Sequence, residues 1–282
     1  MIINLISFIW LGKVFKSCFI FLFCAIQILI TSSSNAQKEY ANHQHVWGTY
    51  LGNHKLTKKF GLHTEYQWRR EEWFQNWQQS LMRIGIDYNV NSNLSITAGY
   101  GWIVTFPYGE QPVLNQFNEH RIWQQLNLKS KIELTKKVID VQHRYRLEQR
   151  FLETYDLNSF GVAEKGDIVY RQRVRYRALF LIPMSKNTME DNTLFLNINN
   201  EVFIGFGKGI EKNVLDQNRF NIALGWRFTS NFNLQFGYLN QYIIKADGVK
   251  VERNHTLLSS LVYNIDFTGK NKKRPDKAGL FN

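Results

Sequence analysis

Arginine recurs at every second position in one stretch of the chain, DIVYRQRVRYRALFLIP at residues 167–183. A period of two is the side-chain period of a β-strand, so this strand has one basic face and one largely apolar face. Residues 138–151 repeat the pattern. An arginine that faces lipid near the membrane midplane costs roughly 2–4 kcal/mol, whereas the apolar face needs a large hydrophobic environment. The pattern therefore predicts strands of a transmembrane β-barrel whose arginines face a polar lumen.

The predicted inward faces carry many charges, and basic residues predominate among them. Arg83, Glu119 and Arg121 are predicted to face inward as well. Two interpretations stay open: the arginines and carboxylates pair to brace the wall, or the arginines form a constriction that selects anions. The candidate lumen charge network consists of Arg144, Arg146, Glu148, Arg150, Arg171, Arg173, Arg175, Arg177, Glu201, Arg219 and Arg227.

The first 36 residues have the composition of a secretory signal peptide. Lys13 and Lys16 precede an apolar run, and Ser34-Asn35-Ala36 fits a small-residue cleavage site. An uncleaved membrane anchor is the alternative, although the apolar run is short for a spanning helix. The only cysteines, Cys18 and Cys24, lie in this segment. The mature chain is thus predicted to contain no disulfide, thiolate nucleophile or cysteine metal site.

Charge and motifs limit the partners and cofactors. Without Lys13 and Lys16, 33 Lys and Arg stand against 23 Asp and Glu, a formal charge of +10. This balance favours anionic partners, such as outer-membrane lipid, lipopolysaccharide or a small anionic solute. Nucleic acid is disfavoured because the arginines alternate along predicted strands of an exported chain. His43 and His45 are two residues apart, but no metal, cofactor or catalytic motif is recognised.

Residues 37–267 are predicted to form one all-β domain, an antiparallel barrel followed by a basic tail at residues 268–282. Eleven strands can be counted. Bacterial single-chain barrels usually have an even number, so we expect about twelve, with residues 37–44 as an additional strand, or ten. Tight turns at 89–93, 134–137 and 230–232 are predicted to be periplasmic. Longer loops at 107–118, 152–166, 206–218 and 246–253 are predicted to be extracellular.

An outer-membrane lipid hydrolase is the enzymatic alternative, because such an enzyme can carry serine and histidine on the lipid-facing wall of a barrel. His143 falls on a predicted outward face. No serine has a recognisable nucleophile context, so no catalytic residue is assigned. The alternative predicts lipid hydrolysis that depends on an outward serine or on His143.

Several segments resemble a known family. They are RYRLEQR (144–150), RQRVRYR (171–177), NEVF (200–203), RFNIALG (219–225) and FGY (236–238). They are similar to the DUF2490 family, predicted outer-membrane barrels common in Bacteroidetes. The resemblance implies a barrel fold and an outer-membrane location, without an assigned reaction. We therefore predict an outer-membrane protein with a structural role or a narrow, anion-preferring pore.

Overall fold

The computed structural model describes residues 38–110, 112–207, 210 and 212–268. These residues form a single closed barrel of eleven β-strands. The predicted signal segment lies outside the described residues, as does the predicted tail beyond residue 268. The strands are β1 (Glu39–Lys55), β2 (Phe60–Glu71), β3 (Asn76–Asn89), β4 (Leu94–Thr105), β5 (Phe117–Glu133), β6 (Val138–Leu157), β7 (Ala163–Pro183), β8 (Thr193–Phe206), β9 (Leu215–Thr229), β10 (Phe232–Ile244) and β11 (Lys250–Tyr263).

The barrel closes through a parallel pair. Each strand pairs antiparallel with its sequence neighbour, but β1 pairs parallel with β11, from Glu39 opposite Lys250 to Leu51 opposite Val262. This parallel pair is called the closing seam. The expectation of about twelve antiparallel strands is thus corrected to eleven strands with one parallel pair. The segment that was expected to add a strand continues β1 instead, from Glu39 onward. With an odd number of alternating strands, the first and last run in the same direction and can pair only in parallel.

The connections lie at two rims. The turn rim carries residues 56–59, 90–93, 134–137, 184–192 and 230–231. The loop rim carries the described residues 72–75, 106–110, 112–116, 158–162, 207, 210, 212–214 and 245–249. The predicted long loop at 152–166 is wrong, because β6 continues to Leu157 and β7 begins at Ala163. The predicted alternation also fails at residues 184–192, a longer connection on the turn rim.

The outer wall of the barrel is apolar. Along β3, the alternate side chains of Met82, Ile84 and Ile86 are each about half exposed, at 49–50 %. The same alternation places aromatic rings on the outer wall of other strands, where isolated soluble domains rarely expose so many. Exposed aromatic residues on the strands include Tyr66, Tyr88, Tyr100, Trp102, Tyr145, Tyr170, Trp226, Tyr238 and Tyr263.

The interior is packed with polar side chains and a few large rings. Trp123 on β5 is fully buried there, and its ring lies against Gly85 and Gly99, which pair across β3 and β4. A Cβ on Gly99 would stand 2.6 Å from the Trp123 ring, so glycine is required for the ring to lie flat on the wall. The described residues include no helix that is long and apolar enough to cross a membrane.

Candidate functional site

The register between β6 and β7 places arginines of the two inward faces directly opposite each other. Directly opposed positions across an antiparallel pair bring side chains within contact distance, and like charges there are destabilising. One carboxylate, Glu148, lies in this wall, and Glu119 and Glu201 reach it from neighbouring strands. The opposed pairs are Arg144 with Arg177, Arg146 with Arg175, Glu148 with Arg173, and Arg150 with Arg171.

Glu148 is the centre of the charge arrangement. Its carboxylate is fully buried and accepts hydrogen bonds of 2.6 Å from Nη2 of Arg173 and from Nη1 of Arg175. Nitrogens of Arg83, Arg121 and Arg146 stand 3.8–3.9 Å from its oxygens. A buried carboxylate is tolerated only when it is paired and hydrogen-bonded, and here one carboxylate serves five guanidinium groups.

Other carboxylates extend the network around the barrel. Glu65 on β2 accepts a 2.6 Å hydrogen bond from Arg83 on β3, and Glu201 on β8 accepts one of 2.6 Å from Arg144. Glu201 also accepts a 2.9 Å bond from Nε of Arg175. The central layer is the set of network residues that are less than one tenth exposed: Glu65, Arg83, Glu119, Arg121, Arg146, Glu148, Arg173, Arg175 and Glu201.

Two part-exposed arginine pairs flank the central layer. Arg144 and Arg177 lie on the side of the turn rim, and Arg150 and Arg171 lie on the side of the loop rim. Arg150 donates hydrogen bonds of 2.6 and 3.0 Å to the Glu119 carboxylate. Part-exposed arginine side chains thus lie on both sides of a buried, charged layer.

Aromatic rings lie against several of the buried arginines, including Arg69 and Arg219, which form no ion pair among the described residues. Arg69 lies 3.9 Å from the centre of the Trp47 ring, and Arg219 lies 5.2 Å from it. The centre of the fully buried Phe203 ring lies 4.7 Å from the Arg219 guanidinium and 4.3 Å from the Arg175 guanidinium. The electron-rich ring faces offset part of the cost of burying these cations.

A family model described as "Protein of unknown function (DUF2490)" matches residues 44–252, from within β1 to within β11. The chain belongs to the DUF2490 family. No curated protein and no solved structure matches it.

The DUF2490 barrel brings together most of the residues that the sequence suggested for a charge network, but Arg219 and Arg227 bond to neutral groups instead of a carboxylate. Arg219 donates a 3.0 Å hydrogen bond to Gln217, and Arg227 donates one of 3.0 Å to the carbonyl of Met189 near the turn rim. Within the described part of the chain, Arg171 and Arg177 form no ion pair.

Sequence reasoning missed Glu65, Arg69 and Asp216 as members of the DUF2490 network. Asp216 accepts a 2.5 Å hydrogen bond from Arg173. A signal for the β2 members was present, because alternate positions 63, 65, 67, 69 and 71 are all polar in HTEYQWRRE. Asp216 gave no comparable signal, since it stands at the beginning of β9 next to the loop 207–214.

The loop 106–116 of the DUF2490 barrel reaches back over the mouth at the loop rim. Tyr108 packs edge-on against the parallel rings of His43 and His45, and its hydroxyl donates a 2.9 Å hydrogen bond to Glu252 on β11. Burial, together with the Glu252 charge, raises the pKa of Tyr108 well above its usual value. The phenol therefore stays a hydrogen-bond donor at neutral pH, and the loop is fastened across the closing seam.

The remaining histidines of the DUF2490 barrel give no support to hydrolysis or metal binding. His143 shares a 2.9 Å hydrogen bond with the Tyr176 hydroxyl, and no serine hydroxyl contacts it among the described residues. The same part of the chain holds no group of three or more His, Cys, Asp or Glu that could hold a metal ion. The lipid hydrolase alternative stays a prediction without a geometric basis.

Proposed function

We propose that this DUF2490 protein is an outer-membrane barrel whose basic interior forms a narrow, anion-preferring constriction. Its architecture supports this location, because a closed barrel with an apolar outer wall and a polar interior satisfies all backbone groups inside lipid. Strands of 12 to 21 residues are long enough to cross the hydrocarbon core.

The excess of arginines over carboxylates supports the proposed preference for anions. Seven arginines line the inward faces of β6 and β7, and only four carboxylates contact them: Glu119, Glu148, Glu201 and Asp216. Arg83, Arg121 and Arg219 add three more cations beside this wall, whereas Glu65 adds one carboxylate. A ring of excess positive charge in a low-dielectric passage attracts anions and repels cations.

The central layer supports a narrow passage rather than a wide pore. Its guanidinium and carboxylate groups contact one another across the barrel, from Arg83 on β3 to Glu148 on β6 at 3.8 Å. An ion that crosses this layer must exchange contacts with arginine nitrogens in sequence. We therefore expect small anions to pass and larger solutes to be excluded.

The test is ion conductance of the purified protein in a planar bilayer, with the reversal potential measured under a salt gradient. We expect small discrete steps whose reversal potential lies toward that of the anion. In the double variant Arg171→Gln/Arg177→Gln, the anion preference should fall, because two part-exposed positive charges that flank the layer are removed.

Arg253→Gln is the matched control, since Arg253 is an exposed cation on the outer wall, stacked on Tyr40 at 4.1 Å. This variant should keep the selectivity of the parent. Folded protein that never conducts would reject the pore and leave a plugged, structural barrel. Selectivity that is unchanged in the double variant would mean that these arginines only brace the wall.

A further inference from the structure

The arginine pair on the turn-rim side of the central layer has more positive charge than its surroundings neutralise. Arg144 and Arg177 stand directly opposite each other, and Arg146 follows two residues later on the same face. The carboxylate bonded in this group is Glu201, which Arg144 shares with Arg175.

Arg146 presents two donors that no acceptor satisfies. Its Nε donates a 2.8 Å hydrogen bond to Gln125, and its guanidinium is held 4.7 Å from the centre of the Trp123 ring. Nη1 and Nη2 are buried without a hydrogen-bond partner among the described residues, and the residue is only 2 % exposed. Nη1 stands 3.8 Å from Glu148, too far for a hydrogen bond. A fixed, unsatisfied guanidinium fork is the arrangement that binds two oxygens of one anion.

We propose that Arg144, Arg146 and Arg177 form a binding site for a dianionic oxyanion of the phosphate or sulfate type. Arg146 and Arg177 donate a hydrogen bond to no carboxylate among the described residues, and Arg144 shares Glu201 with Arg175. A dianion with several oxygens would supply the missing acceptors. The site deepens the proposed function and rests on it, because the same excess charge that favours anions in passage holds one here.

The approach to the site is from the turn rim. Arg144 and Arg177 are part-exposed there, whereas Arg146 and Arg175 belong to the dry central layer. An oxyanion that entered from this side would meet the flanking pair first and the Arg146 fork at its inner end. The central layer would close the far side of the site.

The binding test uses full-length protein purified in detergent without added lipid, at pH 8 and constant ionic strength. Sodium sulfate and sodium phosphate are titrated against sodium chloride and sodium acetate. The readouts are the thermal unfolding midpoint and tryptophan fluorescence, since Trp123 stacks on Arg146. We expect a saturable shift with the two dianions and only a weak, non-saturating response to chloride and acetate.

Three variants locate the site. Arg177→Gln should lower the sulfate affinity about tenfold, and Arg177→Lys should restore little of it because lysine keeps the charge without the fork. Arg253→Gln is the matched control, with the same loss of charge at an exposed position on the outer wall. Its sulfate affinity should equal that of the parent.

The outcomes separate this site from the proposed function. Equal responses to sulfate and chloride, in a barrel that still conducts anions selectively, would overturn the site and leave the pore intact. Equal losses in Arg253→Gln and Arg177→Gln would also overturn it, since the binding would then follow net charge alone. A shift that required added lipopolysaccharide would assign the anion to a lipid and reject a free oxyanion in the interior.

Discussion

Glu148 is the residue on which the interior charges converge. It is fully buried, and five arginines from β3, β5, β6 and β7 approach its two oxygens. Removing one partner of a buried ion pair leaves the other charges uncompensated, which costs far more than losing a surface pair. A single carboxylate therefore offsets part of the free-energy cost of burying these arginines.

Glu148→Gln should lower the free energy of unfolding by about 3–5 kcal/mol, because five buried cations lose their shared counter-charge. Urea unfolding, followed by tryptophan fluorescence, measures the change. Glu190→Gln is the control: Glu190 is exposed in the turn-rim connection 184–192 and stands 3.8 Å from Lys186. Its substitution should change stability by less than about 1 kcal/mol. Equal effects of the two substitutions would contradict the central role of Glu148.

At this scale the sequence predicted which faces are charged but not which charges meet. Alternation along one strand is a local property, so the inward positions of Arg173 and Arg175 could be assigned from period two alone. The contacts of Glu148 with Arg83 on β3 and with Arg121 on β5 join different strands. They depend on the register of β3, β5 and β6, which no local pattern specifies.

The loop between β4 and β5 folds back over the loop rim, where Tyr108 bonds to Glu252. Its main chain also binds the barrel, since the amide of Gly109 donates a 3.1 Å hydrogen bond to Glu71 at the end of β2. Gly109 has a φ of +66°, and a Cβ at this position would overlap the His43 ring. Glycine is therefore needed both for the backbone conformation and for the close approach.

Gly109→Ala should detach the loop from the mouth, because the added methyl group must displace either His43 or the loop itself. Limited proteolysis should then cleave within residues 106–116 at a clearly higher rate. Gly161→Ala is the matched control: Gly161 has a similar φ of +74°, but a Cβ there meets nothing within 4 Å. If both variants left the cleavage rate unchanged, the loop would not depend on the Gly109 contact.

The strands of the barrel were predictable to a greater extent than its connections. Turn sequences at 90–93 and 134–137 fall where the structure has turns, because Asn, Ser and Lys clusters interrupt the apolar alternation. The segment 152–166 was mistaken for a long loop. Its glycines, acidic residues and Asn158 resemble a loop in composition, but most of it continues the ladder between β6 and β7.

At the scale of the whole molecule, the parallel pairing of β1 with β11 closes the barrel. The alternation pattern of the sequence predicts eleven strands. Twelve or ten strands were expected only because even-numbered barrels are the common case. Pairing between β1 and β11 joins the two ends of the described chain, so local sequence could not reveal its direction. The seam is as extensive as the other strand pairs, with thirteen opposed positions.

A disulfide across the seam tests this closure. Asn42 on β1 and Arg253 on β11 are opposed and exposed on the outer wall, so Asn42→Cys/Arg253→Cys should oxidise readily. The pair is introduced with Cys18 and Cys24 replaced by alanine. A circularised barrel should migrate faster on a non-reducing denaturing gel.

The control pair is Asn42→Cys/Leu257→Cys. Leu257 is opposed to Val46, four residues further along β1, at a distance of about 13 Å from Asn42. This pair should stay reduced. Preferential oxidation of the control pair would refute the parallel register.

The odd number of strands also separates the two ends of the barrel chain in space. β1 starts at the loop rim and β11 finishes at the turn rim. In the proposed membrane setting, the start of β1 at Glu39 and the end of β11 at Tyr263 would face different aqueous compartments. A reporter fused at one end would sense the cell exterior, and the same reporter at the other end would sense the periplasm.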